Sequence, residues 1–549
     1  MKRKVFYAVG MACLFGISVL TGCTTSKSGG NTDATTNEQS SSNQETNAEA
    51  SIESEDSAVA GIEGWDPFAE TVTIQIPVFD RSKEGYPDVT NNYWTKWVQK
   101  EFGDKYNVKV EYVAIPRSDV LTKYNMLIAS NETPTVLMEF DIPKLAMWAT
   151  DGALQEFTME DFAQVAPNYY QKMVDNDLVK YSTIKEKTFF ALAERPYSNI
   201  DYTNVTFVRK DWLDKVGLDV PDSYEEYSAA IEAIKAAGLT DHSPLGMRCP
   251  YMAYVPNFSF REDPVNDEEW AMNSSVSTAS LPWNPTKSYL KRLNEEYNKG
   301  WYSSEFELDL DGNQEKADFV NGKTFSYTGY ISANVDWLTA FYENNPDAEL
   351  AALNPSYVVE EGIANHPSTL ASNPFGMIVG FSSLATQDQL KAAWMYMEWM
   401  LQDDVLFTLE NGIEGVTYTL DADGIPIVDA NYRGEEMLNH NCNFDMTSIV
   451  HASKVMDTAE KTLKVDTPQG IPQDLYGEIL KNYQWREEMA KNGWSYPDPV
   501  YNTAIEAESE YGASLLSIYQ ECAVKLIKCA PENFETLYDV LSQRYLDSG

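Results

Sequence analysis

The stretch VTIQIPVF at Val72–Phe79 is a continuous apolar run of strand length, and the segments after it settle the class of fold. NNYWTKWVQKEFGDKY at Asn91–Tyr106 carries its apolar residues at helical spacing, and VKVEYVAI at Val108–Ile115 returns to strand character. Asp119–Ser130 predicts a second helix, TVLMEF at Thr135–Phe140 a third strand, and Lys144–Trp148 opens a third helix that ends near Gly152. Strands alternating with helices imply an α/β body, a mostly parallel sheet with helices on both faces. In such sheets ligands sit at the carboxyl ends of strands. Here those ends are the loops Asp80–Gly85 and Asp141–Pro143.

The alternation continues along the chain. Val205–Arg209 is a predicted strand, and Lys210–Val216 a short helix closed by Gly217. Ser223 and Glu226 have the spacing of a capping box for a helix running to Ala237 and stopped at Gly238. A helix at Lys287–Lys299 stops at Gly300, Gly376–Phe381 is a strand, and Gln387–Leu401 is a helix. From Ala504 onward the chain reads mainly as helix. Trp94, Trp97, Trp212, Trp394 and Trp399, with the methionines of Met395–Met400, fall at helical spacing and are expected in the core.

The amino terminus has a different grammar. Lys2, Arg3 and Lys4 precede the apolar run Val5–Leu20, which is short of the roughly twenty residues that span a bilayer. Leu20-Thr21-Gly22 then sets small residues before Cys23, so residues 1–22 are expected to be a signal peptide. The seam resembles a bacterial lipobox, which implies cleavage before Cys23 and a diacylglycerol on its thiol. Two or three acyl chains, at about 0.8 kcal/mol per buried methylene, hold a protein on a membrane. From Thr24 to about Gly61 the chain is Ser, Thr, Asn, Gln and Glu with hardly a large apolar residue, too polar to fold. With Cys23 it is expected to act as a tether over 23–61, holding the body roughly 35 Å from its anchor.

A net charge of −43 argues against nucleic acid as a partner and against lying flat on an anionic membrane. Of six cysteines, Cys13 leaves with the signal and Cys23 is the attachment point. Cys249, Cys442, Cys522 and Cys529 form no CxxC or Cys/His metal pattern. Cys522 and Cys529 are seven apart in a helical stretch, about 10 Å along its axis and too far to pair within it. Buried free thiols are the expectation. GxSxG, HExxH and P-loop patterns are absent from the sequence.

Four stretches in order carry a resemblance. They are FVRKDWLDKVGLDVPDSYEEY (Phe207–Tyr227), FVNGKTFSYTGYISAN (Phe319–Asn334), GMIVGFSSLATQDQLKAAWMYMEWMLQDD (Gly376–Asp404) and NGIEGVTYTLDADGIPIV (Asn411–Val428). The chain resembles the sugar-type extracellular solute-binding proteins of bacterial ABC importers, distantly related to maltose-binding protein. The resemblance implies a two-lobed periplasmic-binding-protein fold, each lobe a mixed, mostly parallel sheet flanked by helices, with solute in the cleft at the hinge. It implies lobe 1 from 65–195 plus about 377–440, and lobe 2 from 203–372 plus about 500–549. The first chain crossing falls near Ala193–Thr206 and the second near Asn373–Ser383, with a third between Asn431 and Val500. It also implies a lipid-anchored, monomeric receptor on the outer face of the cytoplasmic membrane, serving the permease subunits of an importer. No cofactor and no catalysis are expected. Some large members carry a Ca²⁺ loop; here Asp309-Leu-Asp-Gly-Asn313 is a partial imitation, and position twelve from Asp309 is Val320 where a glutamate is needed. No metal is expected. Asp421-Ala-Asp-Gly424 has the pattern of a hairpin turn.

A sugar offers an apolar C–H face and a rim of hydroxyls, which call for flat rings and for carboxylates, amides or arginine. Tyr330 and Asn334 follow the Gly-Lys strand, where the resemblance implies an aromatic contact, and Trp337 lies close by. Phe79 and Asp80 end the first strand, Asp141 follows the third, and Arg195 sits at the first crossing. Glu414 and Tyr418 belong to the Gly-x-Glu-Gly passage, and Trp283 lies in the loop Ser280–Pro285. The 13 Trp and 33 Tyr and the large body favour an oligosaccharide over a monosaccharide. The net acidity disfavours a polyanionic glycan overall, although a local cation such as Arg195 can hold one carboxylate. The alternatives are a surface glycoside hydrolase, which needs two carboxyl groups about 5–10 Å apart across a sugar, and an importer receptor for peptides.

Overall fold

The computed structural model describes residues 65–197, 200, 203–247, 273, 280–332, 335–359, 366–429, 431–439, 443–451, 456–468, 471–497, 500–501 and 506–548. The expected signal peptide, Cys23, the tether, Asn334, Cys249 and Cys442 lie outside them.

The opening alternation forms as expected. Val72–Asp80 pairs in parallel with Val108–Pro116 from Val72↔Val108 to Asp80↔Pro116, so both strands end together. The helix between them starts at Asn92, whose side chain accepts from Trp94 and Thr95 N–H while Thr95 reciprocates. It is not one regular helix: Tyr93–Val98 is α, Gln99–Gly103 widens to a π turn, and Asp104–Tyr106 closes it. The π turn lets the chain pass close to the next strand. A Cβ on Gly103 would lie 2.5 Å from the Val108 carbonyl oxygen, so only glycine fits there.

The sheets are mixed but, among the described strands, not mostly parallel. Phe375–Phe381 runs antiparallel between Val136–Glu139 and Phe190–Glu194. Asn204–Arg209 runs antiparallel between Ser326–Tyr330 and Leu350–Ala352. The reason is topological. A strand that enters a body at the end where its neighbours leave must run against them. Val72–Asp80 shares no backbone ladder with Val136–Glu139: Pro77 has no N–H, and the link is a side-chain one, Gln75 N–H to Thr135 Oγ1 at 2.9 Å.

The buried apolar side chains sort into separate cores. One gathers residues from Ile74–Ala193 and Phe375–Val450. A second joins Ile200–Ala352 with Leu463–Tyr483. Two smaller ones lie beside it, one containing Leu281–Phe306 with Tyr519–Leu541 and the other Val208–Leu353. The central strand Asn204–Arg209 feeds two of them, Val205 and Phe207 on one face and Val208 on the other, as alternation in a twice-covered strand requires. The chain passes from the first core to the second between Ala193 and Ile200, returns before Phe375, and leaves again between Val450 and Leu463.

Trp94, Trp394 and Trp399 are buried in the first core as expected, with Trp97 half-buried against it, and Trp212 is buried in the small core around Val208. Cys522 and Cys529 are free thiols, both pushed up by burial. Asp309, in the imitation Ca²⁺ loop, is engaged as a helix cap, accepting Gln314 N–H at 3.1 Å and Glu315 N–H at 2.8 Å. Among the described residues no three His, Cys, Asp or Glu side chains gather to hold a metal ion. No described helix is long and apolar enough to cross a membrane.

Candidate functional site

Strand register decides which residues share an edge. Glu139 pairs with Ile378 and Glu194 with Phe375, so Glu139–Asp141, Glu194–Arg195 and the start of Phe375–Phe381 lie at one end of their sheet. In the second core Asn204 pairs with Tyr330, placing the entry of one strand beside the exit of the other. The first crossing, from Glu194 to Asn204, joins these two edges. They face one another: Lys83 Nζ, in the loop after the first strand, lies 2.8 Å from Asp336 Oδ2, in the loop after Tyr330.

The cleft edge of the first core is built on ion pairs. Arg81 binds Asp445 through two bonds of 2.7 Å, and Asp445 is 5% exposed on the short helix Phe444–Thr447. Lys144 holds Asp141 at 2.8 Å. Glu194 receives Lys172 Nζ at 2.7 Å, and its backbone N–H donates to the Val450 carbonyl. Directly after Val450, buried His451 bonds the buried Glu410 carboxylate. The first and third crossings therefore start side by side, at Glu194 and His451.

Asp80 is half-buried and accepts Ser82 N–H at 2.7 Å, fixing a turn in which Ser82 has φ 51°. Phe79 is 2% exposed, its ring covered by a guanidinium. Asp141 caps the helix Ile142–Thr150. Arg195 is half-buried at the edge. Tyr330 is exposed at the facing edge. Trp337 is buried among Phe207, Phe319 and Tyr327, with its indole N–H on the Tyr330 carbonyl at 2.7 Å. Trp283 is also buried, at the start of helix Asn284–Asn298. Neither indole presents an open face. Glu414 is exposed in its turn, and Tyr418 is buried edge-on to Phe407. The structure thus brings Asp80, Asp141, Arg195 and Tyr330 to the facing edges. Arg81, Lys83, Arg117 and Asp336 join them there unforeseen, because charges scattered in loops carry no periodic signal.

The hairpin Tyr418–Leu420/Pro426–Val428 turns at Gly424, φ 75°, as its Asp-Ala-Asp-Gly sequence predicts. Its Asp421 takes Lys464 Nζ at 2.6 Å, from the helix Ala459–Asp466 that comes after the third crossing. That lysine's hydrogen bond holds Asp421 below the usual carboxylate range. The pair is therefore intact at neutral pH and is lost as pH falls through the lowered value. Two ion pairs, Lys83–Asp336 and Lys464–Asp421, thus link side chains on opposite sides of the crossings. An exposed pair such as Lys83–Asp336 contributes about 0.2–1 kcal/mol, while Lys464–Asp421 is half-buried. Removing both, in a Lys83→Ala/Lys464→Ala variant, is expected to raise the radius of gyration in small-angle scattering. An unchanged radius would show that neither pair restrains the lobes.

Two α/β lobes, with strand ends facing across a seam crossed by several chain segments, define a two-lobed solute-binding protein. A model of the family described as bacterial extracellular solute-binding protein matches residues 97–418, and the chain belongs to that family. It is 22% identical over 333 residues to the polygalacturonan/rhamnogalacturonan-binding protein YtcQ of Bacillus subtilis, a match covering 58% of this chain and 63% of that relative's length. A solute-binding protein of Bifidobacterium longum infantis, described as binding HMO, superposes with TM-score 0.62 at 16% identity over 87% of this chain and 97% of its own. FusA of S. pneumoniae, solved with kestose, superposes with TM-score 0.56 at 16% identity over 87% and 96%. These likenesses show the two-lobed fold.

Proposed function

We propose that this protein is a membrane-anchored extracellular receptor that captures an oligosaccharide by lobe closure and delivers it to the permease subunits of an ABC importer. The observation that carries the reading is the facing of two strand-end edges across the crossings, joined by Lys83 and Asp336. Family membership supports it, as do the named cargoes of the relatives, which are saccharides. Tyr330 supplies an exposed ring for a sugar face, and Asp80, Asp141 and Arg195 supply polar contacts for its hydroxyls. Lobe 1 then comprises about 65–195 and 375–451, and lobe 2 takes most of the rest, including 459–491. Lipidation of Cys23, with 24–61 as tether, places the receptor on the outer face of the cytoplasmic membrane. Binding, not catalysis, is its activity.

A thermal-shift and tryptophan-fluorescence screen against oligosaccharides, monosaccharides and short peptides tests this. A ligand that binds only the folded state stabilises it by about 2.7 kcal/mol at a hundredfold excess over Kd. The expected result is an upward shift with an oligosaccharide that is recovered intact. Cleavage of the glycan, or a response to peptides alone, overturns the reading.

A further inference from the structure

We infer that Arg117 contacts the ligand in this cleft, and that the solute it selects is an oligosaccharide bearing carboxylates, that is, one containing uronic acid. The inference rests on the receptor reading above and names its substrate class.

Arg117 directly follows the strand Val108–Pro116, and its N–H donates to the Asp80 carbonyl at 2.8 Å, tying it to the end of the neighbouring strand. Its guanidinium carbon lies 5.0 Å from the centre of the Phe79 ring and 5.8 Å from that of Phe140. Phe79 is in the first strand and Phe140 just follows the third, so three strand ends converge on one cation. Aromatic faces hold a planar guanidinium flat and leave its edge donors available. The residue itself is exposed.

Its charge is the second observation. In a chain of net charge −43, cations along this edge are matched: Arg81 by Asp445, Lys83 by Asp336, Lys144 by Asp141. Among the described residues no carboxylate lies within ion-pair distance of Arg117. Lys83, three residues past Asp80, reaches Asp336 beyond the first crossing, so a solute held between these two edges would cover Arg117 and displace its water. A guanidinium stripped of water and left unpaired is costly. A neutral sugar satisfies some of its N–H groups but not its charge; a carboxylate satisfies both through two parallel bonds. The acidity of the rest of the surface does not forbid this, because exposed charges beyond about 10 Å are largely screened at 0.1 M salt.

The test is calorimetric titration of the protein and of Arg117→Gln with oligogalacturonides, with the same oligomers after methyl esterification, and with neutral oligosaccharides. Hydrogen bonds to charged groups correspond to roughly ten- to hundredfold in affinity. The expected result is that the free acid binds the wild type, that esterification weakens it by about that factor, and that Arg117→Gln binds acid and ester equally weakly. Circular dichroism confirms that the variant is folded. If Arg117→Gln binds the acid as the wild type does, or if only neutral sugars bind, the inference falls and the receptor reading stands. If no saccharide binds the folded wild type, the receptor reading falls and this one with it. Arg117-dependent binding of an acidic peptide overturns the uronate assignment.

Discussion

Trp399→Ala is expected to destabilise the protein by about 3–5 kcal/mol, the usual cost of truncating a fully buried aromatic. Trp399 is 0% exposed on the helix Gln387–Met400. Its ring lies 5.3 Å from Phe102 and 5.8 Å from Trp97, both from the first helical passage, and 6.3 Å from Tyr396. The helix is buried nearly all round, from Leu390 to Met400, so no exposed face can shift to fill the hole. Trp399→Phe is expected to cost less, since among the described residues the indole N–H has no hydrogen-bond partner and its loss leaves nothing unpaired. Urea denaturation midpoints of the two variants check this. An alanine variant as stable as the wild type would mean that the core closes around the gap.

Glu398→Ala is expected to cost about 3 kcal/mol or more by a different mechanism. Glu398 is 3% exposed, yet it is no stray charge. One oxygen accepts Asn168 N–H at 3.1 Å and Asn168 Nδ2 at 2.7 Å, and the other accepts Tyr169 N–H at 3.0 Å. Those two amides open the helix Pro167–Asp175, whose cap position is Ala166 and supplies no side-chain bond. The carboxylate from a distant helix therefore serves as the missing cap, and its charge suits the positive end of the helix dipole. Glu398→Gln retains one oxygen for these donors and is expected to lose about half as much. The same denaturation series measures it, and hydrogen exchange at Asn168 and Tyr169 should quicken in the alanine variant. Unchanged exchange there would sink the capping argument.

Much of the fold was legible because its determinants are local. Val72–Phe79 read as a strand from its apolar run and Val108–Ile115 from its alternation, and the capping residue Ser223 lies three positions from the N–H it binds. Even there, tertiary context adjusted details. Glu226 bonds the Asp222 N–H rather than completing a capping box with Ser223, and the first helix holds a π turn where Gly103 nears Val108. The direction of strand pairing was not legible, because it depends on which end of a body the chain enters.

The site divides the same way. From the sequence alone came the family resemblance and, as expectations, the strand ends and Tyr330 as candidate ligand positions; the structure leaves Tyr330 exposed. The tertiary structure decided that Trp337 and Trp283 face inward, that Lys83 meets Asp336, and that Arg117 lies across Phe79 and Phe140. Periodicity reports how a residue relates to neighbours three, four or two positions away. Lys83 and Asp336 are 253 residues apart, and Arg81 and Asp445 are 364 apart. Which distant charges meet is set by the crossings that fold two lobes onto one seam, and no spacing within either segment encodes it.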